Sequence, residues 1–147
     1  MASKIVVGYD GSDASKAALD KAVELAKCDP GAEITVVCGQ DRPPAWVTYR
    51  GPTVEAQAYI EQIEKEIAAD LEEAAKVVSD AGIKVATTCT RDRPVDLLLN
   101  VAHEIGASWI VVGAKGAGAV RDVVMGSTTM KLLHKSDIPV VVVPTAD

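Results

Sequence analysis

A run of glycines near the carboxyl end of the chain has the residue types and spacing that phosphate binding requires. Gly113, Gly116 and the pair Gly126-Ser127 fit the spacing G-x2-G-x9-G-[ST]. Glycines let the backbone approach a phosphate closely and adopt positive φ angles, and consecutive amides in such turns form anion-binding concavities. We therefore expect this segment to hold the phosphates of a ligand. The alternative is a connecting segment that needs glycine only for its backbone.

The residues that follow this run supply further anion-binding groups. The pattern predicts a short helix over Ser127–His134, and the amides and positive dipole end of its first turn would face the ligand. Ser127 and Thr128 add hydroxyl donors, and Lys115 and Arg121 can supply positive charge. The segment contains no GxxxxGK[ST] motif, so it is not a P-loop. It begins a dinucleotide-binding GxGxxG motif at Gly116, but Arg121 occupies the third glycine position.

The hydrophobic pattern predicts the scaffold that would position this loop, an alternation of strands and helices. Five aliphatic runs are typical of strands buried on both faces. They are Lys4–Tyr9, Glu33–Gly39, Lys84–Cys89, Ser108–Val112 and Pro139–Val143. Helical spacing indicates helices between Ser12 and Pro30, from Val54 to Ala81, from Pro94 to Gly106 and from Ser127 to His134. This order predicts a Rossmann-like α/β fold with a doubly wound, five-stranded parallel sheet.

The topology predicts where a ligand would bind. Right-handed crossovers leave few arrangements, and the expected strand order is 3-2-1-4-5 with helices on both faces. The winding direction then reverses between the first and fourth strands, and ligands bind at this reversal, beyond the carboxyl ends of the strands. The first strand ends at Asp10 and the fourth at Gly113. We therefore expect Asp10 beside the glycine loop, within a single domain that spans residues 1–147.

The composition argues against several classes of function. The chain has 147 residues, of which 48% are hydrophobic and 3% aromatic, and its formal net charge is −6. Because it has no cluster of Lys and Arg, neither nucleic acid nor a membrane is expected as a partner. No apolar run approaches the ~18 residues of a membrane span. Three cysteines without a CxxC pair are predicted to be buried, reduced thiols of a cytoplasmic protein.

No residue is predicted to be catalytic or to ligate a metal. His103 and His134 lack metal-ligand spacing with the cysteines. The acidic residues between positions 61 and 73 lie off the apolar stripe of the long helix, as on a solvated face. Asp10 and Ser12 are also typical of a turn and a helix cap. Trp109 lies inside a predicted strand and is expected in the core.

Two further segments carry expectations about partners. Residues 40–53 contain three prolines together with Trp46 and Tyr49. They are predicted to form a loop that serves as a lid, a partner surface or a plain connector. Pro139–Val143 would be an edge strand, and a run of valines at an open edge favours pairing with another strand. A homodimer formed through this strand is therefore predicted.

Two stretches of the chain resemble those of a known family. Residues 111–144, VVGAKGAGAVRDVVMGSTTMKLLHKSDIPVVVVP, resemble the carboxyl-terminal signature of the universal stress protein family, and residues 4–15, KIVVGYDGSDAS, resemble its first strand and turn. The order of elements is similar from Lys4 to Pro144. The G-x2-G-x9-G-[ST] spacing is the mark of the branch that binds ATP. The resemblance implies a Rossmann-like fold, usually dimeric, and a regulatory or protective role.

The resemblance also implies a set of binding residues by position. Asp10 matches the family aspartate near the ribose and phosphates, and Gly39 aligns with a backbone position that contacts adenine. The phosphate motif matches Gly113, Gly116, Gly126, Ser127 and Thr128. The full expected nucleotide site is Gly8, Tyr9, Asp10, Gly39, Val112, Gly113, Lys115, Gly116, Gly126, Ser127, Thr128 and Thr129. A Mg²⁺ ion on the phosphates fits this picture, although no carboxylate cluster demands one.

Three positions depart from the family pattern. Gly39 stands where the family often has a β-branched or aliphatic residue, and it follows Cys38 where a histidine is common, which predicts a weaker apolar clamp on the base. Asp122 lies in a stretch that is often basic, so less positive charge would face the phosphates. Arg93 precedes Pro94 where an aspartate cap is common. Such a change bears on helix stability only.

Together these features predict a protein that holds ATP in stress response or signalling with little or no turnover. Three alternatives stay open: a slow ATPase, a protein that binds cyclic AMP, and a nucleotide-free interaction module of the same fold. The first would need a catalytic group that the sequence does not reveal. The second is open because the motif indicates that a phosphate is bound but not how many phosphates the ligand has.

Overall fold

The computed structural model describes residues 2–39, 47, 53–90, 93–115 and 125–145. Within these residues five strands and four helices alternate along the chain. They are β1 (Lys4–Gly8), α1 (Asp13–Lys27), β2 (Glu33–Gly39), α2 (Val54–Asp80), β3 (Lys84–Thr90), α3 (Pro94–Ile105), β4 (Trp109–Gly113), α4 (Ser127–Lys135) and β5 (Val140–Val143). The predicted helices and strands agree with these elements to within one or two residues at most ends, the usual uncertainty of helix and strand boundaries.

All five strands lie in one parallel sheet, in the order β3-β2-β1-β4-β5. The predicted order and the doubly wound α/β architecture are therefore confirmed. In register, Val6 of β1 pairs with Thr35 of β2 on one side and with Ile110 of β4 on the other. The chain leaves β1 in one direction to build β2 and β3, and β4 and β5 are added on the other side. The winding direction thus reverses between β1 and β4.

Two apolar layers hold the helices against the sheet. Alternate residues of the strands point to opposite faces, so that Val7 faces the first layer and its neighbour Val6 the second. The first layer joins the sheet to α1 and α2 through Leu19, Ala22, Leu71, Ala74 and Val78. The second joins it to α3 and α4 through Leu98, Val101, Ala102 and Leu132. Each buried aliphatic side chain stabilises the fold by roughly 1.5–3 kcal/mol, so the two layers fix the carboxyl edge of the sheet firmly.

Local signals set the helix starts near that edge. The Ser12 hydroxyl accepts a hydrogen bond from the Ser15 amide at 3.2 Å and caps α1. The Thr53 hydroxyl caps α2 in the same way. Pro94 opens α3 after Arg93, whose side chain makes no capping hydrogen bond. Proline at the first helical position is favourable because that position needs no amide donor.

Two burial predictions were wrong. Trp109 was expected in the core but is 40% exposed, because it is the first residue of β4 and lies outside the buried stretch that begins at Ile110. Of the three cysteines, only Cys38 is buried. Cys28 follows the last residue of α1, and Cys89 lies on β3 at the edge of the sheet, so both are exposed.

The predictions for the acidic residues of α2 and for residues 40–53 can be compared with the described residues only in part. The acidic residues of α2 are exposed as predicted, except Asp70, which is half-buried. Of the segment 40–53, only Val47, which is buried, and Thr53 are described, and the predicted loop otherwise lies outside the described residues. None of the described helices has the length and apolar character to cross a membrane.

Candidate functional site

A cavity of about 230 Å³ opens at the carboxyl ends of β1 and β4, where the winding direction reverses. This is the position that the topology predicts for a ligand. Residues from every layer of the fold line it. They are Gly8, Tyr9, Asp10, Ser12, Ser15, Val37, Gly39, Pro94, Leu98, Val112, Gly113, Lys115, Thr128, Thr129 and Leu132.

The turn between β1 and α1 forms one wall and fixes Asp10. The Asp10 carboxylate accepts a hydrogen bond from the Ser12 amide at 2.9 Å, which closes an Asx turn. The Asp10 amide in turn donates to the Ser15 hydroxyl at 3.3 Å, and that hydroxyl donates to the Ser12 carbonyl at 2.9 Å. The turn and cap roles that the sequence allowed for Asp10 and Ser12 are therefore both real. These bonds set the backbone of Asp10, which lines the cavity.

Acidic groups surround the outer side of this turn. Gly11 has a φ of +81°, and a Cβ built on it would lie 2.8 Å from a carboxylate oxygen of Asp70. The turn thus needs glycine both for its conformation and for the close approach of α2. Burial raises the pKa of Tyr9, and the nearby carboxylates of Glu73, Asp70, Asp10 and Asp20 raise it further. Tyr9 is therefore a neutral phenol at neutral pH in a negative local field.

Hydrogen bonds close the base of the glycine loop. The Gly126 amide donates to the Ala114 carbonyl at 2.6 Å, and the Thr129 hydroxyl donates to the Gly113 carbonyl at 2.9 Å. The end of β4 and the start of α4 are therefore held together. Thr129, which was predicted to contact the ligand, is buried and uses its hydroxyl for this structural bond. Gly116 lies outside the described residues.

The two glycines of the motif that the structure describes, Gly113 and Gly126, do not have the positive φ angles that the pattern allowed. The sequence argument allowed them positive φ angles, but Gly126 has a φ of −71° and Gly113 continues β4 without one. A Cβ on Gly113 would lie 2.7 Å from the Ala14 carbonyl oxygen. Gly113 is needed because β4 ends directly against the first turn of α1, and this contact keeps the end of β4 next to the start of α1.

The first turn of α4 adjoins the cavity. Gly126 is the N-cap, no side chain of the described residues caps this helix, and the first intrahelical bond runs from the Met130 amide to the Gly126 carbonyl. The amides of Ser127, Thr128 and Thr129 are consequently without partners inside the helix. Thr128 and Thr129 line the cavity. This helix end carries partial positive charge and is suited to an anion.

The opposite wall is apolar and was largely missed by sequence reasoning. Val37, Leu98, Val112 and Leu132 line it together with Pro94. The sequence did contain a signal, because a helix that follows a parallel strand starts at the carboxyl edge of the sheet, and Pro94 marks that start. Pro94 also supplies apolar surface next to Gly39, where the sequence predicted a weaker apolar clamp.

Gly39 itself has a packing reason to be glycine. A Cβ on Gly39 would lie 2.8 Å from the Pro94 Cα. The end of β2 and the start of α3 are therefore in direct contact, and a β-branched residue at this position would force them apart. The departure from the family pattern at Gly39 is thus coupled to how closely α3 approaches the sheet.

Most of the predicted site residues come together at this cavity. Those that line it are Gly8, Tyr9, Asp10, Gly39, Val112, Gly113, Lys115, Thr128 and Thr129. Gly126 and Ser127 stand at the start of α4, beside the lining and not within it. Neither imidazole is in the lining: His134 lies in the last turn of α4, and the His103 Nε2 atom lies within hydrogen-bonding distance, 2.6 Å, of the exposed Asp137 carboxylate. Over the described ranges, no group of three or more His, Cys, Asp and Glu side chains could hold a metal ion.

Comparisons with known proteins agree with this fold and show its family. The model of the universal stress protein family matches residues 1–144. The chain is 32% identical over 148 residues to universal stress protein YxiE of Bacillus subtilis, a match that covers 97% of this chain and 99% of that one.

Solved structures give the same result at the level of the fold. UspA of Lactobacillus plantarum, 22% identical, superimposes with a TM-score of 0.80 over 96% of this chain and 97% of its own. A universal stress protein solved in complex with cAMP, 25% identical, superimposes with a TM-score of 0.72 over 99% of each chain. With the family model spanning nearly every residue and a relative of this identity matched end to end, the chain belongs to the universal stress protein family.

Proposed function

We propose that the cavity binds an adenine nucleotide, with ATP as the ligand, and that the protein acts in stress response or signalling with little or no turnover. The observation that carries this proposal is the amino end of α4, whose first amides have no partner inside the helix and whose first turn contributes Thr128 and Thr129 to the lining of a cavity of about 230 Å³. The universal stress protein solved in complex with cAMP supports an adenine nucleotide as the ligand class.

The chemistry of the walls suggests how the nucleotide would lie. The phosphates would accept hydrogen bonds from the amides at the start of α4 and meet the charge of Lys115, which lines the cavity. The adenine would lie against the apolar wall near Pro94 and Leu98, where burial of its faces is favourable. The ribose hydroxyls would reach Asp10, whose carboxylate is a strong acceptor.

The same lining favours holding over hydrolysis. Asp10 is the one carboxylate in the described lining, and its oxygen already accepts the Ser12 amide. A general base paired with a second acid or an imidazole is not among these residues. Mg²⁺ would therefore be held mainly by the phosphates themselves, in the way that this ion usually bridges phosphate oxygens and water.

Titration calorimetry with ATP, ADP and cAMP, each with and without Mg²⁺, tests the proposal. We expect one nucleotide per chain, with ATP bound most tightly and strengthened by Mg²⁺. If cAMP binds more tightly than ATP, the proposed ligand is wrong but the proposed site stands. Absence of heat and of any thermal shift with all three nucleotides would contradict the site itself and favour an interaction module.

Turnover is measured separately from binding. Phosphate release from saturating ATP should stay near the rate of a buffer control. Release that exceeds this rate and disappears in Asp10→Ala would favour the slow ATPase.

We also propose a cytoplasmic homodimer formed through the last strand, Pro139–Val143. β5 lies at one edge of the sheet, pairs with β4 on one side only, and its residues Val140, Val141 and Val142 are half-buried. Strand edges of this kind are ready to pair with a second chain.

A further inference from the structure

Two cysteines lie directly opposite each other on neighbouring strands. Cys38 of β2 and Cys89 of β3 are register partners, near the carboxyl ends of both strands. Neighbouring strands lie about 4.8 Å apart, and disulfides join Cα atoms that are about 4.4–6.8 Å apart. Paired residues of parallel strands project to the same face of the sheet, and the Cys89 side chain is a hydrogen-bond partner of Cys38. The spacing of neighbouring strands thus places the two Cα atoms within the range that disulfides span.

The two thiols differ in their access to solvent. Cys38 is 5% exposed within the core layer beneath α1 and α2, whereas Cys89 is exposed on the edge strand. Burial, reinforced by Cys89 and by the carboxylate of Asp10, raises the pKa of Cys38 to about 12. Cys38 is therefore a protonated thiol at neutral pH, and an oxidant from solvent meets Cys89 first.

We propose that Cys38 and Cys89 are an oxidation site that closes reversibly into an intramolecular disulfide. Hydrogen peroxide is the class of oxidant. The Cys89 sulfur attacks one peroxide oxygen, the O–O bond breaks, and a sulfenic acid and water are formed. The Cys38 sulfur then attacks the Cys89 sulfur, the S–O bond breaks, and the hydroxyl leaves as water with the Cys38 proton. In total two thiols are oxidised and one peroxide is reduced to two waters.

The site adjoins the nucleotide cavity but does not depend on its ligand. Gly39 follows Cys38 and lines the cavity, and its register partner is Thr90, which follows Cys89. A crosslink here would join the strand that lines the cavity to the edge strand beside it. The proposal would stand even if the cavity bound something other than a nucleotide, because both sulfurs belong to the sheet.

The third cysteine provides the matched control. Cys28 is exposed just after α1, and its sulfur lies 3.5 Å from the Glu24 carbonyl oxygen. Trypsin leaves Cys28 and Cys38 in one peptide, residues 28–50, because proline follows Arg42. A Cys28→Ser background removes this ambiguity, and Cys89 then lies in the separate peptide 85–91.

The experiment treats Cys28→Ser protein with hydrogen peroxide, alkylates remaining thiols, and maps the tryptic peptides by mass spectrometry. We expect peptides 28–50 and 85–91 to be joined, the intact chain to be lighter by two hydrogens, and dithiothreitol to restore both thiols. In Cys89→Ser within this background, Cys38 should stay a thiol at the same peroxide dose. In Cys38→Ser, Cys89 should be trapped as a sulfenic or sulfinic acid.

Three results would overturn the proposal. One is a monomeric chain in which Cys89 is oxidised to sulfinic acid while Cys38 stays alkylatable. Another is a disulfide-linked dimer through Cys89. The third is oxidation of Cys38 at an undiminished rate in Cys89→Ser, since Cys38 would then not need its partner.

Discussion

At the scale of single residues, Asp10 connects the turn of β1 to the proposed ligand. Its carboxylate accepts the Ser12 amide and also lines the cavity. Two substitutions separate these roles. Asp10→Asn keeps an oxygen that can accept the Ser12 amide, whereas Asp10→Ala removes it.

We expect Asp10→Ala to weaken adenine nucleotide binding at least about tenfold, because a hydrogen bond to a charged acceptor contributes roughly 1.5–3 kcal/mol. Asp10→Asn should keep the melting temperature of the ligand-free protein and lose part of the affinity. Calorimetric titration measures both variants. If both variants bind the nucleotide with wild-type affinity and keep the wild-type circular dichroism, Asp10 does not contact the ligand.

The raised pKa of Cys38 makes the free energy of unfolding depend on pH at alkaline pH. Its pKa is about 12 in the folded chain, above the roughly 8.5 of a cysteine in the unfolded chain. A raised folded pKa stabilises the protein fully below the unfolded value, and this contribution is lost as the pH rises through the folded value. The raised pKa of Tyr9 acts in the same direction at still higher pH.

We therefore expect the free energy of unfolding to fall between about pH 8 and about pH 10, by an amount on the order of 1–2 kcal/mol that is attributable to Cys38. Urea unfolding in the presence of a reductant measures it. Cys38→Ser, which does not titrate in this range, should show the smaller fall. Equal pH slopes for the two proteins would mean that Cys38 ionises as easily in the folded chain as in the unfolded one.

Sequence reasoning identified the residues of the polar cavity wall but, of the apolar wall, only Val112. Asp10 and Gly113 follow from the strand ends, because the ends of neighbouring parallel strands share one edge of the sheet. Pro94 and Leu98 look like an ordinary helix start and an apolar stripe, and only the approach of Pro94 to Gly39 brings them to the cavity. Side-chain convergence of this kind depends on packing distances that periodicity does not contain.

At the scale of the elements, α4 is the helix on which the proposed function depends. Its N-cap, Gly126, has extended backbone angles of −71° and 160°. Serine favours this conformation at an N-cap, and its hydroxyl accepts the amide two or three residues on. A serine at this position would therefore occupy an amide that the phosphate is proposed to use.

We expect Gly126→Ser to raise the melting temperature of the ligand-free protein and to lower its affinity for ATP, both relative to Gly126→Ala. The cap contributes about 0.5–2 kcal/mol, which sets the scale of both changes. Thermal unfolding and calorimetry measure them. Equal ATP affinity in the serine and alanine variants would show that the α4 amides do not hold the phosphates.

Gly113 is not a clean probe of the same loop. A side chain there would meet the backbone of Ala14 before it met any ligand. Loss of binding in a Gly113 variant would therefore report the displacement of α1 as much as the loss of a phosphate contact. The sequence revealed the glycine but not the helix against which it packs.

The edge strand β5 allows a test of the proposed dimer. The carbonyls of Pro139 and Val143 accept amides of the β4 segment, from Ile110 and Ala114. Backbone groups alternate in direction along a strand, so those of Val142 point away from β4. Proline is tolerated at an edge position of this kind, where no ladder hydrogen bond is lost.

We expect Val142→Pro to be folded but monomeric in light scattering at micromolar concentration, whereas the wild type is dimeric. Val141→Pro is the control, since its amide faces β4 and its replacement should lower the melting temperature. A monomeric wild type would refute the dimer. If Val142→Pro is still dimeric, the dimer interface does not lie at the β5 edge.

At the scale of the whole molecule, the order of strands and helices was predictable because each is a local hydrophobic pattern. The reversal of winding between β1 and β4 then follows from right-handed crossovers. Residues 40–53, which the sequence predicts to form a loop, carried no pattern that chooses between a lid, a partner surface and a connector, and their role stays a prediction.

Ligand binding should also be visible in the stability of the whole molecule. A nucleotide that binds only the folded chain stabilises it by about 2.7 kcal/mol at a concentration of 100 times its dissociation constant. This gain does not depend on which residue makes which contact. It therefore reports the occupancy of the site independently of the variants above.

The most direct test of the central claim is mass spectrometry of the small molecules that freshly purified protein releases on denaturation. We predict an adenine nucleotide, in an amount that approaches one per chain for the wild type and that is clearly lower for Gly126→Ser than for Gly126→Ala. Release of no nucleotide, together with no thermal shift in millimolar ATP, ADP or cAMP, would contradict the account.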